Sequence, residues 1–231
     1  QDVREWRLVT TWPKNFPGLG TGGNLLAEYI NKASDGRLQI TVFGAGEIVP
    51  AFEAIDAVGN GTVEMGHGAP YYWKGKVDAT QYIAAMPFGL NAQEQNAWFQ
   101  WGGGQELADK VYAELNCKFF PSGNTGTQMG GWFNKEMNTI DDYKGLKMRI
   151  PGLGGEVVKA AGATLCLAQS MRQSGLVHTM TWPLASINRR NITTIRAGMN
   201  QQPFSTTSST LMLGMLFLMI SRQLLRRPTR P

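Results

Sequence analysis

The sequence predicts an α/β fold over its first 160 residues, with helices packed on a mainly parallel sheet. Short segments rich in β-branched residues, in which apolar and polar side chains alternate, are followed by segments whose apolar residues have helical spacing. Gly and Pro clusters separate these segments, as expected of turns between regular elements. The chain has 231 residues, of which 42% are hydrophobic and 10% aromatic, and this is enough to form a hydrophobic core.

The first strand and helix lie on either side of a proline-containing turn. Residues 4–12 alternate apolar and polar side chains, which predicts a strand. After Pro13 and Pro17, apolar residues at helical spacing predict a helix over residues 24–33. Residues 35–36, an Asp-Gly pair, end that helix as a turn.

A second strand and helix follow in the same order. Residues 37–43 read as a strand, and Phe52, Ile55 and Val58 have the spacing of a helix. Residues 63–68 then predict a short buried strand. In such a parallel α/β arrangement, ligands bind at the carboxyl ends of the strands.

The charged residues divide the chain into two unlike parts. All 17 acidic residues lie in residues 1–156, together with 13 of the 22 Lys and Arg. Residues 157–231 carry Lys159 and eight Arg but no acid. The sequence pI of 9.3 therefore comes from the tail, and we expect no nucleic-acid partner, since such binding needs basic residues clustered on a folded face. A basic protein that binds nucleic acid or a membrane surface is a weaker alternative.

Cysteine and histidine usage gives little indication of enzyme chemistry. Cys117 and Cys166 are too few for a disulfide framework and lack metal-ligand spacing, and Cys117 is expected to be buried. His67 has no second His or Cys nearby, which favours a structural role over a metal ligand or a general base. No Ser–His–Asp or paired-carboxylate pattern is visible, so the sequence predicts no enzyme and no cofactor.

A glycine pattern raises one enzymatic alternative. Gly18, Gly20 and Gly23 match the spacing of a dinucleotide-binding fingerprint and lie between a predicted strand and a helix. Pro13 and Pro17 make the turn longer than that fingerprint requires. An NAD(P)-linked enzyme that uses this loop is therefore the alternative function.

Aromatic residues are dense between residues 71 and 101. Trp98 and Trp101 are three residues apart and are expected on the buried face of one helix. Tyr71 and Tyr72 follow a loop of small residues, an arrangement that is also common in clefts for polar small molecules. For these two tyrosines, a core position and a cleft position remain open.

Several motifs together resemble the periplasmic solute-binding subunits of tripartite ATP-independent (TRAP) transporters, in the branch that binds 2-oxo acids. The resemblance covers residues 4–163 and is most specific in Lys-Gly-Leu-Lys-Met-Arg-Ile-Pro-Gly at residues 144–152. The other motifs are Gly-Ala-Gly-Glu-Ile-Val-Pro at 44–50, Gly-Ala-Pro-Tyr-Tyr-Trp-Lys-Gly-Lys at 68–76, Pro-Phe-Gly-Leu-Asn at 87–91, and residues 123–132. The resemblance implies a two-lobed periplasmic-binding-protein-like fold.

The resemblance also implies a function and a site. A small carboxylate, such as a 2-oxo acid, would bind between the lobes and be delivered to the TRAP permease subunits in the membrane. Arg149 would form the bidentate salt bridge to the ligand carboxylate, as the planar guanidinium allows. Gln128 would help hold a cation, Na⁺ or Ca²⁺, beside the ligand, and Tyr71 and Tyr72 would line the site.

Location and assembly follow from the same resemblance. The chain begins at Gln1 without an apolar leader, as a mature periplasmic protein would after removal of its signal peptide. The family implies a binding protein that is not an enzyme and that can form a homodimer.

The tail departs from the family after residue 164. In the family, a Glu-Trp pair further along the chain completes the site, and the printed sequence does not contain the expected stretch. Reading the tail's codons one base out of register permits that stretch, Asp-Ala-Thr-Glu-Trp-Val-Gly-Pro-Tyr-Asn-Asp, from Ser170 onward. The division that follows is lobe one at residues 1–124, the start of an incomplete lobe two at 125–164, and a frameshifted, irregular and poorly ordered tail at 165–231. The tail predicts an unpaired edge in the first sheet, and a non-functional truncated product is a further alternative.

Overall fold

The protein forms two sheets with helices packed against them. The computed structural model describes residues 3–127, 133, 136–165, 177–178 and 213–221. The strands are β1 Arg4–Thr10, β2 Leu38–Phe43, β3 Met65–Gly68, β4 Cys117–Thr127, β5 Lys147–Arg149, β6 Thr164–Leu165, β7 Val177–His178 and β8 Leu213–Ser221. The α-helices are α1 Leu19–Ala33, α2 Ala54–Gly59, α3 Thr80–Ile83, α4 Ala92–Trp101, α5 Gly104–Ala113 and α6 Gly152–Ala160. Short 3-10 helices cover Ala51–Glu53, Pro70–Trp73 and Ile140–Tyr143.

The larger sheet has the strand order β2-β1-β3-β8-β4. β1 runs parallel to both β2 and β3, in agreement with the alternation of strands and helices in the sequence. Leu8, Val9 and Met65 are buried along these strands. The predicted α/β fold is therefore confirmed, but the larger sheet is mixed rather than mainly parallel, because β8 pairs antiparallel with both β3 and β4. The carboxyl ends of β1 and β3 meet at one edge.

Helix α1 begins five residues before the predicted position. Its first two turns contain Gly20, Gly22 and Gly23, which have low helix propensity. A Cβ on residue 20 would lie 2.6 Å from the Pro13 carbonyl oxygen, so the helix starts where the chain must pack closely on the preceding turn. Tertiary packing here overrides local propensity.

The outer edge of β2 is partly covered by side chains from the end of α1. The Ser34 hydroxyl accepts a hydrogen bond from the Leu38 amide at 3.0 Å and donates to the Leu38 carbonyl at 3.1 Å. The Asn31 side-chain oxygen accepts from the Ile40 amide at 2.8 Å. These bonds occupy backbone groups that would otherwise be exposed on an edge strand.

Strand β8 contradicts the expected unpaired edge of this sheet. It lies between β3 and β4, antiparallel to both, and pairs with β3 from Met65 to Gly68. The Met219 side chain is fully buried in the main core. The poor order expected of the whole tail is therefore wrong for residues 213–221, because their continuous apolar run suits a strand buried on both faces. Residues 166–176, 179–212 and 222–231 lie outside the described residues, and the frameshift stays a prediction.

The helices α4 and α5 pack with α2 against the face of the larger sheet that carries Phe119, and they correct one expectation. Trp98 is half-buried over Gly102 and Gly104, where a Cβ would lie 2.8 Å and 2.7 Å from its ring. Trp101 is 87% exposed, so the prediction that both tryptophans are core residues is wrong for Trp101. The chain turns at Gly103, which has a positive φ of 81°, and α5 therefore covers Trp98 only.

The smaller sheet has the order β6-β5-β7, with parallel pairing throughout. Its core contains Met148, Ile150 and Val158, with α6 packed beside β5 and β6. Strand β4 continues to Thr127, three residues past the predicted lobe boundary at 124/125. Whether residues 1–124 and 125–164 behave as two lobes stays a prediction.

Within the described ranges, no helix is both long enough and apolar enough to cross a membrane. Cys117 is fully buried, as the sequence predicted. Cys166 lies outside the described residues.

Candidate functional site

An aromatic wall lies at the carboxyl ends of β1 and β3. Trp12 follows β1, and Tyr71 and Tyr72 lie in the 3-10 helix that follows β3. The Tyr71 and Tyr72 ring centroids are 5.0 Å apart at an angle of 82°, and those of Trp12 and Tyr72 are 6.4 Å apart. Both tyrosines are half-buried and contact a small cluster around Trp12, Leu19 and Ala69. They therefore belong to the edge of the core, at the position where a ligand binds in parallel α/β sheets.

The smaller sheet meets this wall at Tyr71. Gly152 opens helix α6 three residues after Arg149, the last residue of β5. A Cβ on residue 152 would lie 2.9 Å from the Tyr71 Cβ, and Gly152 has a positive φ of 63°. Glycine therefore satisfies both the backbone conformation and the close approach of α6 to the 3-10 helix that carries Tyr71.

The charge of Arg149 acts on the Tyr71 hydroxyl. Burial raises the pKa of Tyr71 above its usual range, and the neighbouring Tyr72 raises it further, whereas Arg149 acts in the opposite direction. Tyr71 is thus a neutral hydroxyl near a half-buried guanidinium. Together they can offer a carboxylate a positive charge and hydroxyl donors.

His67 lies behind this wall. It is 1% exposed, and its ring lies edge-on to Trp12 with centroids 5.3 Å apart. Its Nε2 lies 3.3 Å from the Ser122 hydroxyl, and its Nδ1 has no hydrogen-bond partner among the described residues. Burial lowers the pKa of His67 to about 4, so it is neutral at pH 7. This geometry supports the predicted structural role.

The glycine-rich loop does not provide a phosphate site. The amides of Leu19, Gly20 and Thr21 donate to carbonyl oxygens of Pro17 and Phe16 at 2.8 to 3.0 Å. Phosphate binding at a helix N-terminus requires free N–H groups that point at the ligand. The structure therefore assigns Gly20 to close packing on the preceding turn and Gly18 to a turn with a positive φ of 76°, and it gives no support to the NAD(P)-linked alternative.

The remaining predicted residue, Gln128, lies outside the described residues, directly after β4. Among the residues that the structure describes, no group of three or more His, Cys, Asp or Glu is placed to hold a metal ion. The described wall also offers no carboxylate ligand, so it does not form a cation site without residues from beyond it.

Sequence reasoning missed Trp12 and Gly152 as residues of this site. Trp12 was read as the last residue of a strand, although its place before Pro13 marks the carboxyl end of β1. Gly152 is the last residue of the motif at residues 144–152, and the motif alone gives it no role in the site. Its role depends on the contact with Tyr71, which is 81 positions away in the chain and cannot be read from a local pattern.

An arginine and an aromatic wall where two sheets meet are typical of the class of ligand-binding proteins that enclose a solute. The sequence profile of the bacterial extracellular solute-binding protein family 7 (DctP) matches residues 8–169. The chain belongs to this family, and the resemblance to TRAP solute-binding proteins is confirmed. The family description agrees with the expected extracytoplasmic location.

A curated relative is the monocarboxylate 2-oxoacid-binding periplasmic protein of Nostoc sp. It is 49% identical over 160 residues, which is 69% of this chain and 44% of the relative. The matched region thus spans less than half of that relative's length.

Solved structures confirm the fold. A TRAP solute-binding protein from Pseudoalteromonas atlantica, with bound sodium and pyruvate, is 37% identical with a TM-score of 0.81, over 96% of this chain and 68% of that one. One from Colwellia psychrerythraea, with bound calcium and pyruvate, is 36% identical with a TM-score of 0.81 and the same coverage. A Bordetella bronchiseptica dimer with calcium and picolinate is 27% identical with a TM-score of 0.82, over 100% of this chain and 69% of that one.

Proposed function

We propose that this chain is a periplasmic solute-binding protein that captures a small monocarboxylate, such as a 2-oxo acid, and delivers it to a TRAP permease. The observation that carries the proposal is the approach of Gly152 to Tyr71, where a Cβ on residue 152 would lie 2.9 Å from the Tyr71 Cβ, with Arg149 near enough for its charge to oppose the rise that burial causes in the pKa of Tyr71. The names of the Nostoc, Pseudoalteromonas and Colwellia proteins support the same ligand class.

The chemistry of the site suits an anion with a small body. Arg149 can pair with both oxygens of a carboxylate, which lysine cannot match geometrically. Helix α6 begins beside it and has no acidic residue in its first turn, so the positive end of its dipole adds to the attraction. Tyr71, Tyr72 and Trp12 supply flat apolar surface with a polar edge for the rest of the ligand.

We propose that residues 1–124 and 125–164 belong to two lobes that close around the ligand by a hinge motion. The close contact of Gly152 with Tyr71 then belongs to the closed arrangement. The chain captures and releases its ligand without chemical change, and no catalytic constellation is needed.

Gln128 would contribute an oxygen to a cation beside the carboxylate. Sodium and calcium accompany pyruvate in two of the similar structures, which supports this part of the proposal. A homodimer is a further proposal, supported by the dimeric Bordetella bronchiseptica protein.

The test is calorimetric titration of pyruvate into the purified chain, with sodium or calcium present. Arg149→Lys should weaken binding roughly ten- to hundredfold, because one bidentate charge-assisted contact is lost. Lys147→Arg is the matched control, since Lys147 is exposed on the same strand. Unchanged affinity in Arg149→Lys would move the carboxylate site elsewhere. No binding by a folded wild-type chain would favour the non-functional truncated product.

A further inference from the structure

A buried amide network connects helix α4 to the irregular end of β4. Gln95 is 5% exposed, and its Nε2 donates to the carbonyls of Ile83 and Ala84 at 3.1 Å and 2.7 Å. Its Oε1 accepts a hydrogen bond from the Asn124 side-chain nitrogen at 2.9 Å. The buried side chain thus uses both donors and one acceptor at once.

Asn124 carries this connection into the backbone. Its side-chain oxygen accepts a hydrogen bond from the Gly126 amide at 2.8 Å. The pairing of β4 with β8 shifts register between Asn124 and Thr127, and Gly126 has a positive φ of 70°. Because the regular ladder is interrupted here, the Asn124 side chain replaces strand pairing as a support for this backbone.

The network supports the last residues of β4, which directly precede a predicted ligand-site residue in the chain. Strand β4 ends at Thr127, and the next residue is Gln128. Burying a polar side chain is costly unless its hydrogen bonds are satisfied, and an apolar side chain of similar length could fill the same volume. The amide of Gln95 is therefore explained by the need to donate to the end of α3 and to accept from β4 at the same time.

We infer that Gln95 is a positioning residue for the ligand site: through Asn124 it fixes the backbone of residues 124–127, the segment that leads into Gln128. The inference deepens the proposed function and, in its effect on ligand affinity, rests on it. We expect Gln95 to act without contacting the ligand, since its side chain is buried and its donors bind Ile83 and Ala84.

The first test needs no ligand. Hydrogen exchange of residues 123–127 is compared in the wild-type chain, Gln95→Met and Asn124→Asp. In Asn124→Asp, the carboxylate can still accept from the Gly126 amide but cannot donate to Gln95. We expect exchange in this segment to become about tenfold faster in both variants, since each breaks the same link. Gln100→Met, an exposed position on the same helix, is the control and should leave exchange unchanged.

The second test measures pyruvate affinity in the same proteins. Gln95→Met and Asn124→Asp should each weaken binding by about tenfold, and the double variant should bind no more weakly than either single variant. Unchanged exchange of residues 123–127, or affinity losses that multiply in the double variant, would overturn the inference. If the wild-type chain does not bind pyruvate, the proposed function fails, while the exchange experiment still decides whether Gln95 holds this segment.

Discussion

The Lys74 ammonium lies 2.7 Å from the Glu156 carboxylate, and this ion pair connects the segment after β3 to helix α6 at the edge of the candidate site. Lys74 directly follows the 3-10 helix that carries Tyr71, and Glu156 lies on α6. The hydrogen bond from Lys74 lowers the pKa of Glu156 below its ordinary value of 4.5. The pair therefore persists at neutral pH and is lost only at a pH below 4.5, where the Glu156 carboxylate takes up a proton.

Removing this ion pair should make it easier for helix α6 to move away from the segment after β3. Glu156→Gln is expected to raise the rate of pyruvate release about two- to fivefold at low salt, with little difference at high salt, because exposed ion pairs are weak and screened. Stopped-flow measurements at two salt concentrations decide this. Glu28→Gln is the control, since Glu28 pairs with Lys32 within α1. Equal effects of the two substitutions would mean that the Lys74 pair has no special part in closure.

A side chain at position 152 should weaken ligand binding more than it lowers stability. Gly152→Ala and Gly145→Ala both place alanine at a positive φ, 63° and 72°, and each should cost about 1 kcal/mol of stability. A Cβ on residue 145 meets no atom within 4 Å, whereas a Cβ on residue 152 meets Tyr71 at 2.9 Å. Only Gly152→Ala should therefore weaken pyruvate binding, by about tenfold or more, since overpacking would push α6 away from Tyr71. Calorimetry that finds the same affinity in both variants would contradict this role.

His67 should make the protein sensitive to mild acid. Burial lowers its pKa from 6.5 to about 4, so the unfolded chain takes up a proton at a higher pH than the folded one. The stabilisation is complete above pH 6.5 and is lost as the pH falls from 6.5 to 4, by roughly 3 kcal/mol in total. Urea unfolding at several pH values should show a shallower pH dependence for His67→Gln than for the wild type. Parallel curves would show that the pKa of His67 is the same in the folded and the unfolded chain, which would contradict a shift caused by burial.

Met219 provides a test of strand β8. Met219→Ala should lower the free energy of unfolding by about 2–5 kcal/mol, because it removes a fully buried side chain that lies between β3 and β4. Met86→Ala, at a position that is 41% exposed, should cost far less. Chemical denaturation measures both variants. A cost for Met219→Ala as small as that for Met86→Ala would place residues 213–221 outside the core.

The sequence predicted the local elements better than it predicted their partners. Strand β2 and the parallel strands around β1 follow from alternation and β-branched content, which depend only on neighbouring residues. The placement of β8 did not follow, because an apolar run of this length fits a buried strand or an aggregating segment equally well. The exposure of Trp101 was also missed, since helical spacing gives the shared face but not the position of the next helix.

The candidate site could be predicted only in part. Arg149, Tyr71 and Tyr72 were found from motifs, and the structure brings Arg149 close enough to Tyr71 to influence its pKa. Their roles as ligand contacts stay predictions. Gln95 gave no signal in the sequence, because a glutamine on a helix ordinarily faces solvent and only the fold buries it against Asn124.

The place of β8 in the larger sheet has a consequence for biosynthesis. In the described part of the sheet, β8 (Leu213–Ser221) lies between β3 and β4, so the middle of this sheet is supplied more than eighty residues after the end of β4 has been synthesised. A chain that is synthesised from its N-terminus cannot complete the sheet until β8 has been made, and contacts of such large sequence separation form slowly. For a protein that crosses a membrane before folding, this delay would be an advantage, because the early segments remain unfolded until residues 213–221 have been translocated.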